Sequence, residues 1–196
     1  LLTWTARIIS GVSVRWVDSQ PDTCQRVYFA NHTSHLDVVL VWSALPGPVR
    51  YLTRPIAAKD YWDRGVVRPY LAKVFNAMLI DRKEIKVHQS PVDLMLREIG
   101  DKYSLIVFPE GHRNTGNELE EFKSGLYYLC KKRPDLEAVP VHIDNLNRVL
   151  PRGEFASNRL PWLAQAGRGV AVREVDIRGV GNRAGQDAEA ALVAAM

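Results

Sequence analysis

The chain has 196 residues, 46% of them apolar and 24% charged, with a formal net charge of +4. At ~150 residues per domain, that length points to one domain with at most a small appendage. The proportions are those of globular chains and exclude wholesale disorder, collagen and coiled coils.

Residues 1–9 place apolar side chains at 1, 2, 4, 8 and 9, a rough helical stripe. No small-residue cleavage site follows before Trp16, so a signal peptide is not expected. Residues 12–16 (VSVRW) read as a strand, and residues 26–30 (RVYFA) as a second one entered from a turn at Pro21-Asp22. A helix is predicted over 36–45, stopped by Pro46-Gly47. A short strand is predicted at 50–53, a helix over 60–74 broken near Pro69, and a buried strand at 77–80. Residues 86–99 read as a helix with Pro91 in its first turn or at a kink. Residues 104–108 (SLIVF) have the continuous apolar character of a strand buried on both faces. A loop over 109–120, a helix over 121–132 and a strand over 137–143 (EAVPVHI) follow. Pro140 inside that strand has no N–H for a ladder, which marks an edge or a bulge. Beyond Pro151 glycine, arginine and alanine become frequent; 170–177 alternates as a half-exposed strand would, and 186–195 reads as a short Ala-rich helix. Strands separated by helices predict an α/β fold, a single domain with a central mixed, largely parallel sheet flanked by helices. Residues 1–150 form that domain, and 151–196 a divergent extension that completes or flanks the sheet.

Charge is uneven. Residues 50–88 hold nine Lys/Arg against four Asp/Glu, while the rest of the chain sums to −1. A local basic surface suits phosphate, nucleic acid or acidic lipid, although a solvated face looks the same in sequence. With no recognisable motif and a small net charge, nucleic acid is the least favoured partner. Cys24 and Cys130 show neither a CxxC nor a metal spacing, which points to a reducing compartment. Cys130 lies in LYYLC, read as a buried helix face. No apolar run approaches ~18 residues, so no membrane-spanning helix is expected.

The strongest local signal is Asn31-His32-Thr33-Ser34-His35-Leu36-Asp37, which follows a buried strand and opens a helix. Strand carboxyl ends are where α/β sheets bind ligands. A loop and first helical turn bring a carboxylate five residues on back to an imidazole. One ring nitrogen then donates to Asp37 and the other accepts a proton, the base-and-orienter logic of a serine-protease triad without its serine. The activated hydroxyl then belongs to the substrate. A capped helix with a satisfied histidine has the same spacing. The second signal is Phe108-Pro109-Glu110-Gly111-His112-Arg113, also after a buried strand. Arg113 offers a planar fork for phosphate, Glu110 can orient it, and Gly111 admits close backbone approach. Ile80-Asp81-Arg82 ends a short strand in the basic segment, and Phe122-Lys123 adds a cation between the second signal and Val139-Pro140-Val141. His32, His35 and Asp37, with Glu110 and His112, also permit a metal-dependent hydrolase, since imidazole and carboxylate suit zinc or iron.

In their order, these motifs resemble those of the 1-acylglycerol-3-phosphate acyltransferase family, over roughly residues 12–150. The resemblance implies that His32 is the general base and Asp37 its orienting partner. It places Glu110, Gly111 and Arg113 in the motif that holds the acceptor phosphate, and Arg82 in a second one that helps hold it. It associates Val139-Pro140-Val141 with the acyl or acceptor pocket. Ala58-Lys59 resembles the family's Ala-Lys stretch, so Lys59, like Lys123, adds positive charge for the phosphate or the thioester carrier. His112 departs from the threonine usual in the third motif, and His35 stands at a variable position.

The implied reaction moves a fatty acyl group from acyl-CoA or acyl carrier protein to the free hydroxyl of a lysophospholipid, 1-acylglycerol-3-phosphate by default. It needs no metal and no cofactor beyond the thioester. Backbone N–H groups near the helix start after His32 are expected to meet the oxyanion. Amphiphilic substrates imply peripheral attachment to the cytoplasmic face of a membrane, through residues 1–16 and the basic stretch 50–88. A family member that binds lipid without catalysis is the alternative.

Overall fold

The apolar runs RVYFA, SLIV and EAVPVHI become three adjacent parallel strands at the centre of the molecule. The computed structural model describes residues 14–17, 20–34, 37–63, 65–81, 90–114, 119–143 and 170–173. In chain order the elements are β1 (Val14–Val17), β2 (Arg26–Ala30), α1 (Asp37–Ala44), α2 (Gly47–Tyr51), β3 (Thr53–Ala58), α3 (Lys59–Trp62), α4 (Val67–Val74), β4 (Met78–Ile80), α5 (Pro91–Ile99), β5 (Ser104–Val107), α6 (Gly125–Lys132), β6 (Glu137–Ile143) and β7 (Val170–Arg173).

The sheet order is β1-β7-β6-β2-β5-β3-β4. Strands β6, β2, β5, β3 and β4 are mutually parallel, so their carboxyl ends share one edge. β7 runs antiparallel to β6 and parallel to β1, which makes the sheet mixed but largely parallel, as the sequence predicts. Alternate residues of each central strand face opposite sides. Tyr28, Ile106, Val139 and Val141 meet Leu40, Val41, Trp42 and Phe75 on one face. Val27, Phe29, Leu105, Val107 and Ala138 meet Ile99, Leu126 and Leu129 on the other. Helices therefore cover both faces of the central strands, and the strand ends are left for loops.

Several boundaries differ from the sequence reading. Residues 47–51, which overlap the strand predicted at 50–53, form α2, because Pro46 and Pro48 set up a helix start. The strand is β3 instead, and Arg54 and Pro55 interrupt its apolar pattern. The predicted helix over 60–74 is two helices, separated at the turn that holds Gly65 (φ 73°). Pro69 does not break it: it sits in the first turn of α4, where a missing N–H has no helical partner to lose. Helix α5 begins at Pro91 with Ser90 as its cap, the Ser90 hydroxyl accepting from Val92 N–H. Helix α6 starts four residues later than predicted. Pro140 marks no edge: β6 lies between β2 and β7, and Pro140 sits one residue before its pairing with β7 begins. Cys130 is half-buried against the second core cluster. Of the strand predicted at 170–177, residues 170–173 form β7; 174–177 and the helices predicted at 1–9 and 186–195 lie outside the described residues.

Part of the basic segment is structural. The Arg50 guanidinium donates to the carbonyl oxygens of Trp42, Ser43 and Leu45, closing the end of α1. Arg54 donates to Asn76 O and Glu98 O, and Arg68 donates to Tyr61 O and stacks over the Tyr61 ring. No helix among the described residues is long and apolar enough to cross a membrane.

Ile106 is fully buried in the central strand pair. Ile106→Ala is expected to destabilise the fold by ~2–5 kcal/mol, read from urea denaturation. Burial pushes the Cys130 thiol up to about 11. Asp22 raises the Cys24 thiol as well, but Cys24 is exposed, so Cys24 is expected to label in the native state while Cys130 resists alkylation near neutral pH until the protein unfolds.

Candidate active site

His32 follows β2 directly, and its ring is fixed from two sides. Nδ1 lies 2.8 Å from Asp37 Oδ2, and the ring stacks on Phe108, centroids 4.3 Å apart. The same Oδ2 accepts from Thr33 N–H at 2.7 Å and Ser34 N–H at 2.8 Å. Asp37 is wholly buried, and its Oδ1 has no hydrogen-bond partner. Withdrawing a carboxylate from water costs several kcal/mol unless donors converge on it. Thr33 and Ser34 N–H both donate to Oδ2, which makes that oxygen an acceptor, so a neutral His32 ring that bonds it carries its hydrogen on Nδ1. Nε2 is then the acceptor, and no group among the described residues bonds it. The His32 side chain keeps 18% of its surface exposed, so that nitrogen is not sealed in.

The loop after β5 grips the same residue. His32 N–H donates to Glu110 Oε1 at 2.7 Å, and Asn114 N–H donates to His32 O at 2.7 Å. Glu110 is 1% exposed. Glu120 N–H and the Asn114 side chain also donate to its carboxylate. Burial nevertheless raises the Glu110 pKa above its ordinary value of 4.5. His112 links the two ends of the loop, with Nδ1 3.1 Å from Glu110 O and Nε2 2.7 Å from Glu120 Oε2. Gly111 has φ 74°, and a Cβ there would meet Lys123 Nζ at 2.8 Å, so the lysine side chain lies directly across it. Arg113, between His112 and Asn114, is half-buried.

Of the residues singled out in sequence, the structure brings His32, Asp37 and the loop of Glu110, Gly111 and Arg113 together, with Lys123 over that loop. Lys59 opens α3 at the same sheet edge, 3.9 Å from Asp81 at the end of β4. Arg82 and His35 lie outside the described residues. Glu110 faces inward, onto His32. Thr33 and Ser34 N–H are engaged by Asp37, and Asp37 N–H by Ser34 O, so these amides are not the expected oxyanion donors. Among the described residues no three His, Cys, Asp or Glu side chains converge as a metal site. Sequence reasoning quoted Asn31 and Phe108 within its motifs but gave them no role, and it did not single out Asn114. The Asn31 amide exchanges two hydrogen bonds with the Ile143 backbone, tying the His32 loop to the end of β6.

A histidine bonded to a buried aspartate stands at the carboxyl edge of a largely parallel sheet, beside the loop that carries Arg113. Residues 12–144 match the family model described as Acyltransferase, and the chain belongs to that family. It is 27% identical over 158 residues to the 1-acyl-sn-glycerol-3-phosphate acyltransferase of Limnanthes douglasii, covering 78% of this chain and 53% of that protein. It is 29% identical over 101 residues to a probable 1-acyl-sn-glycerol-3-phosphate acyltransferase of Mycoplasma pneumoniae, covering 49% of this chain and 36% of that one. The chain thus spans about half or less of the length of these curated relatives. Its fold is similar to the crystal structure of the 1-acyl-sn-glycerophosphate acyltransferase PlsC from Thermotoga maritima, with TM-score 0.68 and 16% identity, over 97% of this chain and 76% of that one.

Because the folded-state pKa of Glu110 is raised, its contribution to stability is full below pH 4.5 and is lost as pH rises through the raised value. Glu110→Gln removes this dependence. The stability of wild type relative to Glu110→Gln is therefore expected to fall between pH values below 4.5 and neutrality, read from urea midpoints at both.

Proposed function

We propose that the protein transfers a fatty acyl group from an acyl thioester, acyl-CoA or acyl carrier protein, to the free hydroxyl of a lysophospholipid, with 1-acylglycerol-3-phosphate the first acceptor to test. The product is then phosphatidic acid. The observation that carries this reading is the His32–Asp37 pair with its acceptor nitrogen beside the Arg113 loop. Family membership and the relatives' activity support it.

Nε2 of His32 takes the proton of the acceptor hydroxyl as its oxygen attacks the thioester carbonyl carbon. The Nδ1–H bond to Asp37 stabilises the imidazolium that forms. The carbon–sulfur bond breaks, and the leaving thiolate takes the proton back from Nε2, which restores the neutral ring. Arg113, with Lys123 and Lys59 adding positive charge and Arg82 assigned to the same task, holds the acceptor phosphate and so places its hydroxyl at His32. No cofactor enters this scheme. The acceptor reaches the site from a bilayer, so the protein works at a membrane surface, on its cytoplasmic face, with residues 1–16 and those cations of 50–88 other than Arg50, Arg54 and Arg68 as the contact.

The test is mass spectrometry of products after mixing the protein with acyl-CoA or acyl carrier protein and a panel of lysolipids, with thiol release followed in parallel. Phosphatidic acid with equimolar thiol is expected, and chelator treatment is expected to leave the rate unchanged. Lysolipid binding with no thiol release is the result a non-catalytic lipid binder gives. Losing a charged phosphate contact is worth about 1.5–3 kcal/mol, so Arg113→Ala is expected to raise the acceptor KM by roughly 10- to 100-fold. An unchanged acceptor KM contradicts the phosphate role.

A further inference from the structure

We propose that Glu110 is a positioning residue for His32, acting through the histidine's backbone rather than on the acceptor, so that the acceptor-binding loop itself sets the base. The proposal rests on the acyl-transfer reading above.

Glu110 is poorly placed to touch a phosphate. It is 1% exposed, and its carboxylate would repel an anion. Its donors are all protein groups: His32 N–H on Oε1 at 2.7 Å, Glu120 N–H on Oε2 at 3.4 Å, and the Asn114 side chain. The His32 bond is the short one, and it joins two loops 78 residues apart in sequence. Four residues beyond Glu110, Asn114 N–H donates to His32 O at 2.7 Å. Both backbone polar groups of His32 are therefore held by one loop, and Phe108 of the same loop stacks on its ring. Only the Asp37 bond comes from elsewhere. Arg113 lies between the two residues that make this clamp. A buried carboxylate accepting a backbone N–H is a strong, directional tether, and a misplacement of about 1 Å at a reacting group costs on the order of 10²-fold in rate.

Two conservative variants separate reach from charge. Glu110→Gln keeps an oxygen at the distance of Oε1 without the charge; Glu110→Asp keeps the charge but withdraws it by one methylene. If the tether sets the base, Glu110→Gln keeps kcat within about threefold, and Glu110→Asp loses roughly 10- to 100-fold. The acceptor KM stays within about twofold in both. In protein labelled with 15N-histidine, the His32 amide proton, assigned by its loss in His32→Ala, lies downfield in wild type and Glu110→Gln and moves upfield in Glu110→Asp. A rise in acceptor KM in either variant, equal loss of kcat in both, greater loss in Glu110→Gln, or a His32 amide signal indifferent to Glu110→Asp each overturn the proposal. The NMR arm needs no substrate. A wild-type protein that transfers no acyl group with a responsive His32 signal therefore overturns the acyl-transfer reading, while an active wild type with an indifferent signal overturns the tether alone.

Discussion

A carboxylate with no exposed surface sits beneath His32, and the local backbone is arranged around it. Asp37 collects the His32 ring and the amides of Thr33 and Ser34 on one oxygen. That convergence makes a buried charge tolerable. In the proposed reaction the same contact matters twice, because an acceptor oxygen facing Nδ1 puts the ring hydrogen there and leaves Nε2 to take a proton. The same bonds consume the amides at the helix start that a sequence reading offers to the oxyanion. The site thus uses its local donors to hold the base.

Topology supplies the second half. Five parallel strands bring the segments after β2, β3, β4 and β5 to one edge, and β2 and β5 are neighbours. The His32 loop and the Arg113 loop are therefore adjacent by construction, and Glu110, Asn114 and Phe108 join them into one unit. Side chains far apart in sequence meet because the strands that carry them share a hydrogen-bond ladder. The two core clusters keep that ladder rigid from both faces.

The parts of the fold legible in sequence are those where one physical signal dominates. RVYFA, SLIV and EAVPVHI announce buried strands by apolar continuity, and the five-residue spacing of His32 and Asp37 announces their meeting. β3 escaped because Arg54 and Pro55 break the apolar signal, although its buried and partly buried residues alternate in the fold. Pro140 misled because its backbone argues for an edge while its neighbours Val139 and Val141 are fully buried. The direction of Glu110 was not legible. Nothing in a Pro-Glu-Gly sequence tells whether the carboxylate faces a ligand or turns inward to a backbone amide across the sheet. Likewise, the cations of residues 50–88 read as one basic surface, yet Arg50, Arg54 and Arg68 are bound to backbone carbonyls.

The central claim is that His32 Nε2 takes the proton from the acceptor hydroxyl, and thiol release by His32→Ala measures it most directly. With acyl-CoA and 1-acylglycerol-3-phosphate at saturation, a folded His32→Ala protein is expected to turn over at least roughly 10²–10⁴-fold more slowly than wild type. Its thermal unfolding should still be cooperative. A folded His32→Ala protein that releases thiol and forms phosphatidic acid at the wild-type rate contradicts the account.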